Sequence, residues 1–222
     1  VLLVLSGIPY EKSPYAIGSV KGFLEKFEKH PSIDVIAVVC LEGWENILAG
    51  YAKQYGITKL KHIAPSGKVG QESIKNGLWE LKKHYDGDSV VLVHDGNRPM
   101  VSNDVISDCI AVTKQRGNAI TCIPCQEAML ETKDGISSNV SYPRENLKRT
   151  QTPHGFMLKD LVEAHELAAQ KGITNSVASC TLMIELGKQV FFSNGSEKNI
   201  KLTTPEDVEI FKALLRGEGS DK

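Results

Sequence analysis

The residues best suited to chemistry in this 222-residue chain lie in Val93-His94-Asp95-Gly96-Asn97-Arg98-Pro99, where an apolar run ends in a carboxylate, a small residue and a guanidinium. An Asp can hold a divalent metal while an Arg pairs with phosphate oxygens, so the spacing suits a magnesium-bound triphosphate. A plain turn, with Asp95 capping the backbone and Arg98 solvated, accounts for the same residues equally well. Asn199-Ile200-Lys201-Leu202-Thr203-Thr204-Pro205-Glu206-Asp207 forms a second cluster. Thr204 as N-cap, Pro205 in the first helical position and Asp207 three residues after the cap are explained by helix initiation alone. Lys201 is not, and on a short strand beside that helix end its ammonium is placed for a phosphate. Tyr142-Pro143-Arg144, followed by Lys148-Arg149-Thr150-Gln151-Thr152-Pro153, gathers basic and hydroxyl groups into an anion site or a solvated charge run. Gly67-Lys68-Val69-Gly70-Gln71-Glu72-Ser73 is a glycine-bearing turn into a helix that fits neither the Walker nor the Rossmann spacing.

Positioning such groups falls to an alternation of short β-branched runs with amphipathic stretches, the pattern of a mostly parallel sheet covered by helices on both faces. Strands are expected at 1–5, 33–40, 60–63, 89–94, 119–124 and 190–193. Helices are expected at 44–55, 71–84 and 103–116, each connecting parallel neighbours. In such a sheet ligands sit beyond the carboxyl ends of the strands, which is where Asp95 falls. From Gln126 to Tyr142 the helical period is lost and Lys133-Asp134-Gly135 supplies a turn between two extended arms. A projecting hairpin of this size is not stable alone, so it should pack on something, a second subunit being a fair candidate. No repeat or linker divides the chain, and residues 1–222 read as one domain with the β-arm at about 126–143.

Bulk composition narrows the partners. With 26 Lys+Arg against 27 Asp+Glu there is no field to recruit nucleic acid or an anionic membrane, so phosphate binding must be local. The apolar runs are too short to span a bilayer and lack signal-peptide flanks, which leads to the expectation of a cytoplasmic protein. Five scattered cysteines argue for reduced thiols, and Cys122-x-x-Cys125 lacks the second ligand pair of a zinc site and the following helix of a redox motif. Those two are read as thiols on a buried strand around Pro124.

Taken in order along the chain, four segments resemble the methylerythritol-phosphate and ribitol-phosphate cytidylyltransferase family. VHDGNRP is similar to that family's V-H-D-A-x-R-P loop, RTQTPHGF to its Q-T-P-Q-x-F segment, NIKLTTPED to its N-I-K-I-T-T-P-E-D signature, and GQESIKNGL to a helix start beginning R-x-x-S. The resemblance implies an α/β, Rossmann-like nucleotidyltransferase fold in three layers, acting as a homodimer through the β-arm. It implies transfer of a cytidylyl group from CTP to a small polyol phosphate of the ribitol 5-phosphate type, giving a CDP-polyol and pyrophosphate. The methylerythritol 4-phosphate reaction of isoprenoid synthesis is the alternative inside the same chemistry. Residue by residue, Asp95 would hold Mg2+ and the phosphates. Ser6, Gly7, Ser73, Gly96 and Arg98 would line the CTP site. Arg144, Thr152 and Lys201 would bind the polyol phosphate, Arg144 reaching the partner subunit's site, and Asp95 with Lys201 would carry catalysis. The reaction is in-line attack of the acceptor's phosphate oxygen on the α-phosphorus, so no protein nucleophile is needed.

This sequence departs from the family pattern at several points. The family's first strand leads into a glycine-rich loop with an essential Arg and then an essential Lys, whereas here Leu5-Ser6-Gly7 runs directly into Ile8-Pro9-Tyr10, and Lys12 is not at the family lysine's position. The expectation is that the loop belongs to the natural protein and is missing from the sequence as read, which opens on Val1 rather than Met. The other reading is a true deletion, and with it an inactive nucleotide-binding homologue. Glu127-Ala128 replaces Asp-Thr, Gly70 replaces Arg, and Asn175-Ser176 replaces Thr-Asp, all bearing on the acceptor rather than on CTP. Trp44 at a helix start is closer to the ribitol-phosphate branch, and a core aromatic would serve equally well there.

Overall fold

The computed structural model describes residues 1–6, 16–174 and 176–220. Gly7, Lys12, the junction after Gly7, and Asn175 lie outside the described residues. In chain order the elements are β1 (Leu2–Ser6), α1 (Ala16–Lys29), β2 (Val35–Cys40), α2 (Glu45–Gln54), β3 (Leu60–Pro65), α3 (Gly70–Lys82), β4 (Val90–Asp95), α4 (Asn103–Arg116) and β5 (Asn118–Pro124). They continue with β6 (Met129–Glu131), β7 (Val140–Tyr142), β8 (Lys148–Met157), α5 (Leu158–Gln170), α6 (Ser179–Glu185), β9 (Phe192–Asn194) and α7 (Pro205–Ser220).

Seven strands form one sheet in the order β3-β2-β1-β4-β8-β5-β9, parallel throughout except for β8, which runs antiparallel to both β4 and β5. Strand alternation divides the core in two. Leu3, Ile36, Val38 and Leu92 pack with Leu24 and Phe27 of α1, Leu48 of α2 and Ile106 of α4. On the opposite face Val4, Ala37, Val39, Val91 and Val93 pack with Leu78 and Leu81 of α3 and Leu161 of α5. Because both faces are covered, β4 reads as the unbroken apolar run Val90-Val91-Leu92-Val93, all four buried. Trp44 packs against the first of these clusters.

All six expected strands exist, and two expectations need correction. The helices do not all join neighbours: α2 does, but α3 leads from β3 to β4 across β2 and β1, and α4 leads from β4 to β5 across β8. The second is β8 itself, a ten-residue strand that is not among the expected ones, in a segment read only as an anion site or a solvated charge run. Pro153 and Gly155 disguise it, since both argue against a central strand. Proline is tolerated where the β5 register shifts between Ile120 and Cys122. Glycine is required at 155 because a Cβ there would lie 2.0 Å from Thr113 Oγ1 and 3.2 Å from Cys109 Sγ. Gly155→Ala is therefore expected to cost about 1–3 kcal/mol. Adding Thr113→Ala should recover part of that loss in urea unfolding, and a single variant as stable as the wild type would contradict the close approach.

The hairpin is formed by β6 and β7, with Met129 opposite Tyr142. Its turn is held by Asp134, whose carboxylate accepts from Thr132 Oγ1, Ser137 Oγ and the amides of Ile136 and Ser137, while Gly135 takes a φ of +71°. Cys122 and Cys125 are buried free thiols, the Cys125 thiol donating to the Glu127 carbonyl at 3.5 Å, and burial pushes the Cys122 thiol's pKa up.

Candidate active site

Every parallel strand delivers its carboxyl end to one edge of the sheet. β1 lies between β2 and β4, so the connection reverses direction there, and the register places Ser6 directly beside Asp95 across the reversal. That is the crevice where open α/β sheets bind ligands.

Asp95 is the centre of a charge cluster. Its Oδ2 is 3.1 Å from Lys201 Nζ and 3.3 Å from Arg98 Nε, and its side chain is 24% exposed. Burial pushes the Asp95 pKa up, but Lys201, then His94 and Arg98, outweigh it and hold the carboxyl below its ordinary value. Among the described residues Oδ1 takes no hydrogen bond or ion pair. Two cations against one anion give the cluster an excess of one positive charge.

Arg98 is buried rather than solvated. Besides Asp95, it donates from Nη1 to the Asn199 carbonyl at 2.7 Å, so it bolts the loop after β4 to the segment before α7. Asn97 repeats the connection: its Nδ2 donates to the Leu202 carbonyl at 2.9 Å and the Leu202 amide donates back to the Asn97 carbonyl at 2.8 Å. Asn199, fully buried, donates from Nδ2 to the Thr152 carbonyl at 2.8 Å, and Gln151 holds Ser196 through both its amide atoms. Lys201 itself sits in irregular backbone rather than on the expected short strand, with its side chain 45% exposed.

Beneath this surface runs a buried relay. The Asp95 amide donates to Thr152 Oγ1 at 3.0 Å, and that hydroxyl lies 3.1 Å from His94 Nδ1. The other ring nitrogen of His94 faces the Arg98 carbonyl at 3.2 Å. A carbonyl only accepts, so Nε2 carries the proton, Nδ1 is bare, and Thr152 donates to it. Burial pushes the His94 pKa down to about 4, which keeps the ring neutral. The Thr152 hydroxyl thus accepts from Asp95 and donates to His94.

The remaining candidates are distributed around the same edge. Ser73 sits in the first turn of α3, buried, its hydroxyl accepting the Gly67 amide at 2.9 Å, while Glu72 accepts from the Lys68 amide at 2.6 Å. Both pin the glycine-bearing turn onto the helix, and among the described residues the Ser73 hydroxyl donates to no acceptor. Gly96 is buried within the loop after β4. Arg144 stands at the base of the arm, its Nη1 donating to the Gln126 carbonyl at 2.8 Å, and no contact among the described residues joins it to Asp95 or Lys201. Ser176 is buried and pairs with the Glu185 carboxylate. The start of α7 follows the expected cap: Thr204 Oγ1 accepts from the Asp207 amide at 3.2 Å and Asp207 accepts from the Thr203 and Thr204 amides at 2.8 and 2.7 Å.

The chain matches the family model of 2-C-methyl-D-erythritol 4-phosphate cytidylyltransferase (IspD) over residues 19–217. It belongs to this family of cytidylyltransferases. A ribitol-5-phosphate cytidylyltransferase of Lacticaseibacillus paracasei is 37% identical, with 87% of this chain and 83% of the relative aligned. One from Vibrio parahaemolyticus is 38% identical over 86% of this chain and 81% of its own length. A 2-C-methyl-D-erythritol 4-phosphate cytidylyltransferase of Geotalea uraniireducens is 34% identical over 90% of this chain and 84% of its own. The solved structure of 4-diphosphocytidyl-2C-methyl-D-erythritol synthase from Anaerococcus prevotii superposes with a TM-score of 0.82 at 21% identity, covering 97% of this chain and 95% of that one, and so shares the fold. The four motifs read from the sequence therefore belong to one family framework, and among the described residues no helix is long and apolar enough to cross a membrane.

Sequence reading missed the residues that hold this cytidylyltransferase site together. Asn97, Asn199, Gln151 and His94 stood inside the quoted motifs without a role. The available signal was a run of side chains with amide or imidazole groups next to strands that bury both faces, because such groups are buried only when paired.

Proposed function

We propose that this cytidylyltransferase transfers CMP from CTP to ribitol 5-phosphate. A phosphate oxygen of the acceptor bonds to the α-phosphorus of CTP, the bond to the β-phosphate oxygen breaks, and pyrophosphate leaves. The observation that carries the reading is the cluster of Asp95, Arg98 and Lys201 at the strand reversal, one carboxylate between two cations, in a chain whose ribitol-5-phosphate cytidylyltransferase relatives are 37% and 38% identical. Glu127-Ala128 in place of the family's Asp-Thr removes a hydroxyl that would face the polyol, so the acceptor side is where this chain departs from the family pattern.

The donor set suits Mg2+, which prefers hard oxygen ligands and is commonly held by one or two carboxylates plus substrate phosphates. Asp95 Oδ1 supplies such an oxygen, and the ion would neutralise charge on the triphosphate. The chain's own residues do the rest. Lys201, half-exposed beside Asp95, pairs with the acceptor phosphate; Ser73 and Gly96 border the nucleotide together with Ser6. Arg98 fixes the angle at which Asp95 meets the phosphates. Exposed Met129, Leu130, Ile136, Val140 and Tyr142 make the arm a dimer contact, and dimerisation would bring Arg144 to the partner's acceptor site.

Pyrophosphate release from verified full-length protein with CTP, Mg2+ and either ribitol 5-phosphate or methylerythritol 4-phosphate tests the assignment. Turnover is expected with both at most weakly shared, kcat/KM for ribitol 5-phosphate being the larger. The reverse order assigns the chain to the isoprenoid reaction, and no release with any acceptor leaves an inactive homologue. Lys201→Ala is expected to raise KM for the acceptor roughly 10- to 100-fold, the loss of one charge-assisted contact, with KM for CTP nearly unchanged. An unchanged acceptor KM would remove Lys201 from the acceptor site.

A further inference from the structure

We propose that His62, Glu80 and His84 form a zinc site that fastens the edge strand β3 to the far end of α3. His62 lies on β3, Glu80 in the last turn of α3 and His84 just past it, the latter two one helical turn apart and so on one face. Glu80 Oε1 is 3.3 Å from His84 Nε2 and 3.7 Å from His62 Nδ1, and one ligand atom from each of the three residues lies within 4.8 Å of the others. Four-coordinate zinc with bonds of about 2.0–2.1 Å places its ligands ~3.3 Å apart, so two of the three edges need only small side-chain shifts. Among the described residues this is the one place where three such groups converge.

The surroundings fit a metal better than a surface ion pair. The two rings are stacked with centroids 4.7 Å apart and 25° between their planes, both presenting a nitrogen to the same carboxylate oxygen. His62 Nε2 meets the Tyr85 hydroxyl at 2.9 Å, the outer contact that fixes a metal-binding ring and, with Nε2 donating, leaves the Nδ1 lone pair for the ion. Lys83 Nζ holds the other oxygen of Glu80 at 2.7 Å and so leaves Oε1 to the site. His62 is 12% exposed and His84 48%, which gives a walled site open on one side for entry and for a water as fourth ligand. Two imidazoles and one carboxylate select zinc over magnesium or calcium, which take oxygen ligands. Glu80 lies seven residues beyond Ser73 along α3, roughly 10 Å further down the helix, and none of the three ligands pairs with Asp95, Arg98 or Lys201.

Metal-stripped full-length protein titrated with Zn2+ by calorimetry is expected to bind one equivalent and to melt at a higher temperature once loaded. Co2+ should give the intense visible bands of a four-coordinate ion. Tyr85→Phe should weaken zinc binding by about 10-fold, and His62→Ala or His84→Ala by more. His84→Ala, at a half-exposed position, keeps the fold intact as a control. No saturable binding, an octahedral cobalt spectrum, or undiminished stoichiometry in the His62→Ala/His84→Ala double variant would each overturn the site.

Discussion

Replacing Asp95 with Asn is expected to lower kcat by on the order of 10³-fold while leaving the protein folded. The substitution is nearly isosteric, and the contact that seats the residue is made by its backbone amide to Thr152 Oγ1, which Asn retains. What disappears is the charge. Oδ1 loses its capacity as a hard anionic ligand, and Lys201 and Arg98 lose the anion between them. Since both cations are then unopposed, phosphate affinity should hold or rise, so KM for CTP and for the acceptor should not increase. A fall in kcat with unchanged or lower KM separates a role in aligning the phosphates from simple loss of structure, which would reduce active enzyme without that asymmetry. Steady-state pyrophosphate release paired with a thermal melt reads both. A variant within a few-fold of wild-type kcat would take Asp95 out of the reaction.

The contrast between what the sequence made legible and what it hid follows from range. Val90 to Val93 announce a central strand because burial on both faces is written in consecutive residues, and Thr204-Pro205-Glu206-Asp207 announces a helix start because capping closes within four residues. Periodicity and capping are local properties. β8 was lost because Pro153 and Gly155 obey tertiary demands, a register shift against β5 and a backbone pressed onto Thr113. The same holds for the site. Asp95, Arg98 and Lys201 were chosen by chemical type and the fold brings them together, but the amides that fix them act over long separations: Asn97 reaches Leu202 across 105 positions, and Arg98 reaches Asn199 across 101. Thr152 was chosen by its motif, and its hydrogen bond to His94, 58 positions away, could not be read from that motif. Ser73 shows an addition, its hydroxyl fastening the glycine-bearing turn by accepting the Gly67 amide.

The largest stability effect is expected at Arg98, which the sequence alone left open between a phosphate ligand and a solvated turn residue. The residue is 9% exposed, and its guanidinium satisfies two acceptors, Asp95 Oδ2 and the Asn199 carbonyl. Arg98→Ala strands the carbonyl of a fully buried residue and leaves Asp95 with Lys201 alone. Breaking a buried pair from one side costs about 3–5 kcal/mol, and the lower end applies because Asp95 keeps one partner and some solvent. For a chain of this size that corresponds to a melting temperature lower by roughly 6–12 °C. Lys201→Ala should do the reverse of this profile, weakening acceptor binding while costing under about 1 kcal/mol, since its side chain is half-exposed. Acidification tests the cause. The folded Asp95 carboxyl is held below its ordinary value, so its pairing stabilises the fold fully above about pH 4 and is lost as pH falls through the folded value. The gap between wild type and Arg98→Ala should therefore be widest near neutrality and narrow below about pH 4. Buried neutral His94 and His154, both pushed down to about 4, make each protein less stable as pH falls from about 6.5 toward 4, and largely cancel in the difference. Urea unfolding of both proteins at neutral and acidic pH decides it: a variant as stable as wild type, or a gap that does not narrow in acid, would show that Arg98 is not held by the Asp95 charge.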